Sequence, residues 1–287
     1  GGGHTVMVRV ERMHTNITRI EKDGEVIFDA PCEAVTAEDV MAKFEDCYQF
    51  AETADFTRLK ELLGKQFDYN MAIAEEGMKS LYGSNIGKLI IEDSASIADK
   101  ARAYAAAGSD ARMSGCSLPV MINCGSGNQG ITISVPILVY AEEYNIDEER
   151  RYRALALANV LALYVKHDIG RLSAYCGVVS AASATAAGVA YLMGESKEVI
   201  AATLSNALAG TSGVVCDGAK ASCAMKIGMS LGNALLSYKQ AKTDNSFQGG
   251  DGIVKDTIDD TVKTIGTIAR EGMRETDVVI LQSMLEK

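Results

Sequence analysis

The sequence predicts a protein of the α+β class that is predominantly α-helical, a large helical bundle with a short N-terminal β-hairpin segment. Residues 5–30 alternate apolar and polar side chains, which is the spacing of β-strands, whereas from Thr36 onward the apolar period is helical. Glycine-rich turns then divide the helical part into segments of ordinary helix length. A chain of 287 residues is long enough to bury a sizeable core.

The β segment consists of two alternating runs and a turn. Thr-Val-Met-Val-Arg-Val at 5–10 and Asn-Ile-Thr-Arg-Ile at 16–20 alternate, and Asp23-Gly24 before Val-Ile-Phe is a strong hairpin signal. A β piece of this size is not stable alone and needs a sheet to join. We therefore predict that residues 1–33 are the remnant of an N-terminal α/β domain that is incomplete here.

Helical periodicity covers most of residues 34–287, which we assign to one helical domain. Thr36 is a typical N-cap residue, with acidic residues following it. The predicted helices span 37–52, 55–80, 94–107, 131–144, 148–166, 171–193, 196–209, 219–242 and 254–286. Glycine-rich turns are predicted at 108, 125–130, 209–218 and 249–252.

Composition and charge narrow the classes of function. The net charge of −10 is spread along the chain, which argues against nucleic acid or an anionic membrane as a partner. Seven cysteines, an odd number in a long chain, do not suggest a disulfide framework, and the start has no secretory signal, so we expect a reducing, cytoplasmic location. The apolar stretch 172–193 is long enough to cross a bilayer, but its small residues favour close packing inside a soluble bundle.

Three cysteines lie in small-residue, glycine-containing surroundings: Cys176 ends Arg-Leu-Ser-Ala-Tyr-Cys, while Cys216 and Cys223 enclose Asp-Gly-Ala-Lys-Ala-Ser. Thiolates suit iron-sulfur clusters, and the spacing fits no zinc pattern. Within one helix, seven residues would separate two sulfurs by about 10 Å, so we place Cys216 in a turn and Cys223 in the first turns of a helix. The alternative is that all three pack as small buried hydrophobes.

Gly-Ser-Gly-Asn-Gln-Gly at 125–130 fits the dinucleotide-binding fingerprint formally. No strand-helix-strand unit surrounds it, and no acidic residue stands at a suitable following strand end. The segment is then either a structural turn or a loop whose backbone N–H groups and amide side chains bind a carboxylate.

The Gly-Ser-Gly-Asn-Gln-Gly segment, Gly-Arg-Leu-Ser-Ala-Tyr-Cys-Gly at 170–177 and Cys-Asp-Gly-Ala-Lys-Ala-Ser-Cys-Ala-Met-Lys at 216–226 resemble the L-cysteine desulfidases, which are grouped with the iron-sulfur L-serine dehydratase alpha chains. The resemblance extends from His14-Thr15-Asn16 to the C-terminal helix. It implies β-elimination of a small amino acid, L-cysteine to pyruvate, ammonia and hydrogen sulfide. It also implies a 4Fe-4S cluster held by Cys176, Cys216 and Cys223, with one iron left open.

The same resemblance assigns further site residues. Binding of the substrate carboxylate is expected from Ser126, Gly127, Asn128 and Gln129, and from His14, Thr15 and Asn16 of the β segment. The catalytic candidates are Arg171 and Lys166, from their position shortly before Cys176 in the sequence, and His14, from the resemblance. Arg171 would balance the charge of the cluster or pair with the carboxylate.

Several of these residues have ordinary alternatives. Lys166 and His167 would also serve as cations at a helix C-terminus. We expect Asp110 and Arg112 to form a local ion pair. Cys124 would be a fourth ligand or a nearby thiol, Lys220 and Lys226 flank Cys223, and Cys32 and Cys47 are taken as structural.

Two alternatives to cysteine desulfidation stay open. One is L-serine dehydration at the same cluster, and the other is a non-catalytic ligand-binding or assembly module. In the family that this chain resembles, a further N-terminal segment carries a cysteine in a Cys-Thr-Glu-Pro type motif. That segment is expected to bring the catalytic base. We therefore expect a fragment, a homo-oligomer or a partner chain that supplies the missing segment.

Overall fold

The computed structural model describes residues 2–11, 16–30, 42–92, 94, 96–170 and 173–286. The chain divides into two compact units, Gly1–Met41 and Ala42–Lys287. The domain boundary predicted between residues 33 and 34 falls in residues 31–41, outside the described residues, and stays a prediction.

The first unit is a three-stranded antiparallel sheet with strand order β1-β2-β3. Its strands are β1 (Val6–Val10), β2 (Ile17–Lys22) and β3 (Glu25–Asp29). Asp23 and Gly24 both have positive φ, 54° and 85°, which is the geometry of the tight turn predicted between β2 and β3. The hairpin is confirmed, and β1 extends it to a sheet by pairing antiparallel to β2, with a register shift between Arg9 and Val10.

The second unit is helical, so the predicted fold class is confirmed. Its α-helices within the described residues are α1 (Phe44–Thr53), α2 (Phe56–Lys79), α3 (Ile86–Glu92), α4 (Ile97–Met113), α5 (Gly127–Glu143), α6 (Glu148–Ile169), α7 (Gly177–Leu192), α8 (Lys197–Thr211), α9 (Cys223–Lys242), α10 (Ile258–Thr267) and α11 (Arg274–Leu285). A π-helical turn, Ile268–Gly272, separates α10 from α11.

The helix boundaries depart from the predictions at several places. The helix predicted to start at 171 begins at Gly177, since residues 174–176 are bonded to another segment instead. The segment 254–286 is not one helix, and the short α3 was not predicted. The turn predicted at Gly108 is also wrong: Gly108 lies inside α4, where its lack of a side chain permits close packing on Ala74 and Ile131.

Helices α5 and α7 form the centre of the core. Every residue of α5 from Gly127 to Ala141, and every residue of α7 from Val178 to Leu192, is buried. The small side chains of α7 allow this, and Gly188 approaches the backbone of Ala154 closely. Among the described residues, no helix is long and apolar enough to span a membrane.

Candidate active site

The segments that carry Cys176 and Cys216 are joined by a short backbone pairing. Tyr175 and Val215 form an antiparallel bridge. The amide of Cys176 donates to Val214 O at 3.0 Å, and the amide of Cys216 donates to Ala174 O at 2.6 Å. This pairing places the two cysteines side by side.

The two thiols interact with each other, because the backbone pairing sets them side by side. Their interaction lowers the pKa of Cys216 to about 6, against the effect of burial, and the Gly218 amide and the Lys226 ammonium act in the same direction. The same interaction, together with burial, raises the pKa of Cys176. The arrangement therefore favours the thiolate at Cys216 and the protonated thiol at Cys176.

Cys223 begins α9, as the spacing predicted, and is linked to this pair through Lys226. The Cys223 sulfur lies 3.7 Å from Gly218 O and 3.5 Å from the amide of Lys220. The Lys226 ammonium donates to Val215 O at 3.0 Å and to Asp217. It also interacts electrostatically with Cys176 and Cys223, so one cation joins the two parts of the thiol set.

The thiols of Cys176, Cys216 and Cys223 are not gathered as the ligands of a single metal ion. Among the described residues, no three His, Cys, Asp or Glu side chains are gathered closely enough to hold one metal ion. A 4Fe-4S cluster binds each thiolate at a different iron, so its ligands need not surround one point. Three cysteines with a lysine beside two of them suit such an anionic group.

Lys166 is the buried cation of the site. Its residue is only 6% exposed, in the last turn of α6. Burial lowers the pKa of Lys166, and the thiols of Cys124, Cys216 and Cys176 oppose that shift electrostatically. Its neighbour His167 is exposed and lies 3.2 Å from an Asp168 carboxylate oxygen. The role of helix-end cation thus suits His167, whereas the Lys166 ammonium faces the cysteines.

A tight turn leads into α5 opposite this lysine. Asn123 and Ser126 exchange two backbone hydrogen bonds, of 3.1 and 2.9 Å. Between them Cys124 and Gly125 have φ of 48° and 76°, so Cys124 occupies a left-handed conformation that is uncommon for a residue with a side chain. Ser126 is the N-cap of α5, and its hydroxyl accepts from the Gln129 amide at 3.4 Å.

The predicted loop 125–130 is therefore largely the first turn of α5, and it requires its glycines. A β-carbon at Gly127 would overlap the Arg112 guanidinium and Val120, and one at Gly130 would overlap the carbonyl of Met121. A β-carbon at Gly177, the residue after Cys176, would lie 2.6 Å from Gln129 Nε2. The first turns of α5 and α7 are thus in direct contact.

Arg112 lies beside this turn, and its Nη1 donates to Asn128 Oδ1 at 3.3 Å. The predicted Asp110–Arg112 ion pair does not form between these two described residues. Asp110 instead accepts hydrogen bonds from the backbone amides of Ser84 and Ile86, at 3.3 and 2.7 Å, ahead of and at the start of α3.

Three amide side chains that the sequence analysis missed, two buried and one half-buried, support the turn through a chain of hydrogen bonds. Asn123 Nδ2 donates to Asn159 Oδ1 at 2.9 Å, and Asn159 Nδ2 donates to Gln66 Oε1 at 2.9 Å and to Leu155 O. Amides are scattered through any sequence, and only the fold brings these three together. The 123–126 turn is consequently held in a fixed orientation.

The remaining predicted residues lie elsewhere. His14, Thr15, Arg171 and Cys32 are outside the described residues, and their roles stay predictions. The Asn16 side chain donates to Glu11 O at 3.0 Å, within the sheet unit. Cys47 is buried in α1, and burial raises its pKa to about 12, in keeping with the structural role predicted for it.

The fold and this site define a predominantly helical protein with a set of cysteines and lysines, of which Cys176 and Lys166 are buried. A family model described as serine dehydratase alpha chain matches residues 14–282. The chain belongs to that family.

Curated relatives are similar over nearly the whole chain. A UPF0597 protein of Finegoldia magna is 45% identical over 288 residues, which are 99% of this chain and 69% of the relative. A UPF0597 protein of Lachnoclostridium phytofermentans is 44% identical over 290 residues, with 99% and 69% covered. A UPF0597 protein of Clostridium perfringens is 37% identical over 292 residues, which are 98% of this chain and 68% of the relative. No solved structure matches the chain.

Proposed function

We propose that this protein is a lyase that eliminates sulfide from L-cysteine, with Cys176, Cys216 and Cys223 as ligands of a 4Fe-4S cluster. The observation that carries the proposal is the backbone pairing that sets Cys176 beside Cys216, near the buried ammonium of Lys166. Membership of the serine dehydratase alpha chain family supports a lyase.

The chemistry that such a cluster supplies when bound is Lewis acidity at the iron that no protein thiolate occupies. In the overall reaction the Cα–H and Cβ–S bonds of L-cysteine break, and the electron pair of the Cα–H bond forms the double bond of aminoacrylate. Sulfide leaves from Cβ. Hydrolysis of aminoacrylate with one water then gives pyruvate and ammonia, and hydrogen sulfide is the third product.

The protein's own cations stabilise the charges that gather here. Lys226, held by Val215 O and Asp217, stands beside Cys176 and Cys223, while Lys166 stands beside Cys176 and Cys216. Three thiolates would otherwise repel one another in a buried place, where electrostatic interactions are strong. The two lysines therefore stabilise a site that holds several thiolates, both with and without bound substrate.

The substrate carboxylate is assigned to the N-terminus of α5. Among the described residues, the backbone amides of Gly127 and Asn128 donate no hydrogen bond, and a helix N-terminus favours an anion. Arg112 adds a guanidinium at the same turn. L-Serine is the second candidate substrate, favoured by the description of the matching family, with water in place of hydrogen sulfide as the leaving molecule.

Anaerobic reconstitution tests the proposal. The chain should take up about four irons, and alanine at Cys176, Cys216 or Cys223 should each abolish that uptake. Cys47→Ala is the control, because Cys47 is buried in α1 away from the thiol set and should leave iron uptake unchanged.

The reconstituted chain is then assayed for products. Equal amounts of sulfide and pyruvate from L-cysteine support the proposal, whereas pyruvate from L-serine alone favours serine dehydration. Uptake of iron and binding of L-cysteine with no product, also after the Cys-Thr-Glu-Pro type segment is supplied in trans, identify a ligand-binding module. Failure of the wild-type chain to take up iron overturns the cluster assignment.

A further inference from the structure

Asn123 carries a buried oxygen without a hydrogen-bond donor among the described residues. The residue is 6% exposed. The orientation of its amide is determined by the chain of amides beneath it. Leu155 O can only accept, so Asn159 must direct its NH2 group there and its Oδ1 toward Asn123. The Asn123 NH2 group therefore faces Asn159, and Oδ1 is the atom left over.

Gln129 carries a second such oxygen. The residue is also 6% exposed, and its Oε1 has no donor among the described residues. Its side chain lies against Gly177, directly after Cys176. A buried carbonyl oxygen without a donor costs free energy, and native proteins retain few of them without a reason.

Both oxygens belong to residues that are bonded to Ser126, the N-cap of α5. Asn123 exchanges its backbone hydrogen bonds with Ser126, and the Gln129 amide donates to the Ser126 hydroxyl. Cys124, between Asn123 and Ser126 in the turn, interacts with the Lys166 ammonium, which also faces Cys176 and Cys216. Two acceptors without donors thus flank the end of α5 where the carboxylate-binding amides emerge.

We infer that Asn123 Oδ1 and Gln129 Oε1 bind the α-ammonium group of the amino-acid substrate. This assignment rests on the proposed function and deepens it. An α-amino acid carries a donor group and an acceptor group on one carbon. The end of α5 presents the complementary set, with two carbonyl oxygens for the ammonium and the Gly127 and Asn128 amides for the carboxylate.

Recognition of this kind distinguishes amino acids from acids that lack the amino group. A ligand without the ammonium leaves both oxygens buried and unpaired, which weakens its binding. The ratio of the dissociation constants of 3-mercaptopropionate and L-cysteine measures the contribution of the ammonium group to binding, because the two compounds share their thiol and carboxylate. L-Serine and 3-hydroxypropionate form the corresponding pair.

The test uses dissociation constants of these four compounds for the iron-loaded chain, measured anaerobically by calorimetry. Gln129→Met keeps the volume and removes the acceptor, so the preference for the amino compound should fall by about 10- to 100-fold, the loss of one hydrogen bond to a charged group. Gln129→Glu keeps an oxygen in place and should retain the preference. Asn123→Leu should lower the preference for the amino compound by a similar factor to Gln129→Met.

Thermal unfolding of the ligand-free chain gives an independent readout. Gln129→Met removes a buried unpaired oxygen, so its unfolding midpoint should equal or exceed that of the wild type. Asn206→Leu is the matched control, since the Asn206 amide is buried in α8 with both ends paired, to Ser246 and Phe247. This variant should unfold at a lower temperature and keep the wild-type preference.

The outcomes separate the two proposals. A wild-type chain that binds L-cysteine or L-serine, with an unchanged preference in Gln129→Met and Asn123→Leu, overturns the ammonium assignment and leaves the proposed function standing. A wild-type chain that binds none of the four compounds overturns the proposed function, and the ammonium assignment with it.

Discussion

Cys176 and Cys216 lie side by side and each shifts the pKa of the other, although the two residues belong to segments separated by all of α7 and α8. The Tyr175–Val215 bridge brings those segments together. Because the bridge is made by backbone atoms, the pairing of the thiols does not depend on a metal. We expect the properties of this pair to be measurable in metal-free protein.

Alkylation of the metal-free protein should distinguish the two thiols. The pKa of Cys216 is about 6, so its reaction with iodoacetamide should rise with pH and level off above about pH 7, where an ordinary thiol is still mostly protonated. Cys176, whose pKa is raised, should stay unreactive throughout. Mass spectrometry of the labelled peptides between pH 5 and 9 measures both. Faster labelling of Cys176 would contradict the assignment of the thiolate to Cys216.

Lys226→Met should weaken the thiol set without unfolding the protein. The change removes the hydrogen bonds to Val215 O and Asp217 and one of the interactions that lower the pKa of Cys216. Cys216 should then alkylate more slowly at pH 7, and the chain should retain less iron after reconstitution. Lys239→Met, an exposed change in the last turn of the same helix, is the control and should match the wild type in both measurements.

Lys166→Met should separate stability from iron binding. No carboxylate of the described residues pairs with this buried ammonium, which makes its burial costly, so an apolar side chain of similar length should raise the free energy of unfolding of the metal-free chain by about 1 kcal/mol or more. Iron retention should fall, because the thiolates lose their buried cation. Denaturant unfolding and iron analysis measure the two effects. Exposed Lys220→Met should alter neither, and a Lys166→Met chain that retains its iron would show the cation to be dispensable.

Gly127→Ala should disturb both the core and the substrate site. Its β-carbon would overlap the Arg112 guanidinium and Val120, so we expect a loss of about 1 to 3 kcal/mol of stability, together with a higher KM because the first turn of α5 shifts. Gly213→Ala is the comparison, since nothing lies within 4 Å of a β-carbon there. Denaturant titration and steady-state kinetics of the two variants check the difference. Equal stability of both would show that Arg112 moves aside freely.

Much of the fold follows from local patterns. The Asp23-Gly24 turn was predictable because those residue types favour positive φ, and Cys223 at a helix start followed from the geometry of a seven-residue step. The start of α7 was predicted too early, because an apolar helical period continues through residues 174–176. Those residues pair with 214–216 instead, and a long-range pairing leaves no periodic signal in either segment.

The site was predictable in its residue types and not in its connections. Cys176, Cys216 and Cys223 were singled out by their motifs, yet the link through Lys226 depends on a salt bridge to Asp217 that spacing alone does not specify. Arg112 was assigned to Asp110 because the two are near in sequence. In the fold, the Asp110 carboxylate accepts hydrogen bonds from backbone amides before and at the start of α3, which lies earlier in the chain.

The amides of Gln66, Asn159 and Asn123 are linked by hydrogen bonds, and each amide can take only two orientations. The orientation of one amide therefore determines the orientation of the next. The carbonyl of Leu155 determines the orientation of Asn159, because it can only accept a hydrogen bond. Asn159 in turn determines which atom of the Asn123 amide is presented at the end of α5. Ligand preference is therefore partly encoded at residues that no ligand touches. A survey of substitutions at Gln66 and Asn159 would find altered selectivity in the interior of the helical unit, beneath an unchanged site.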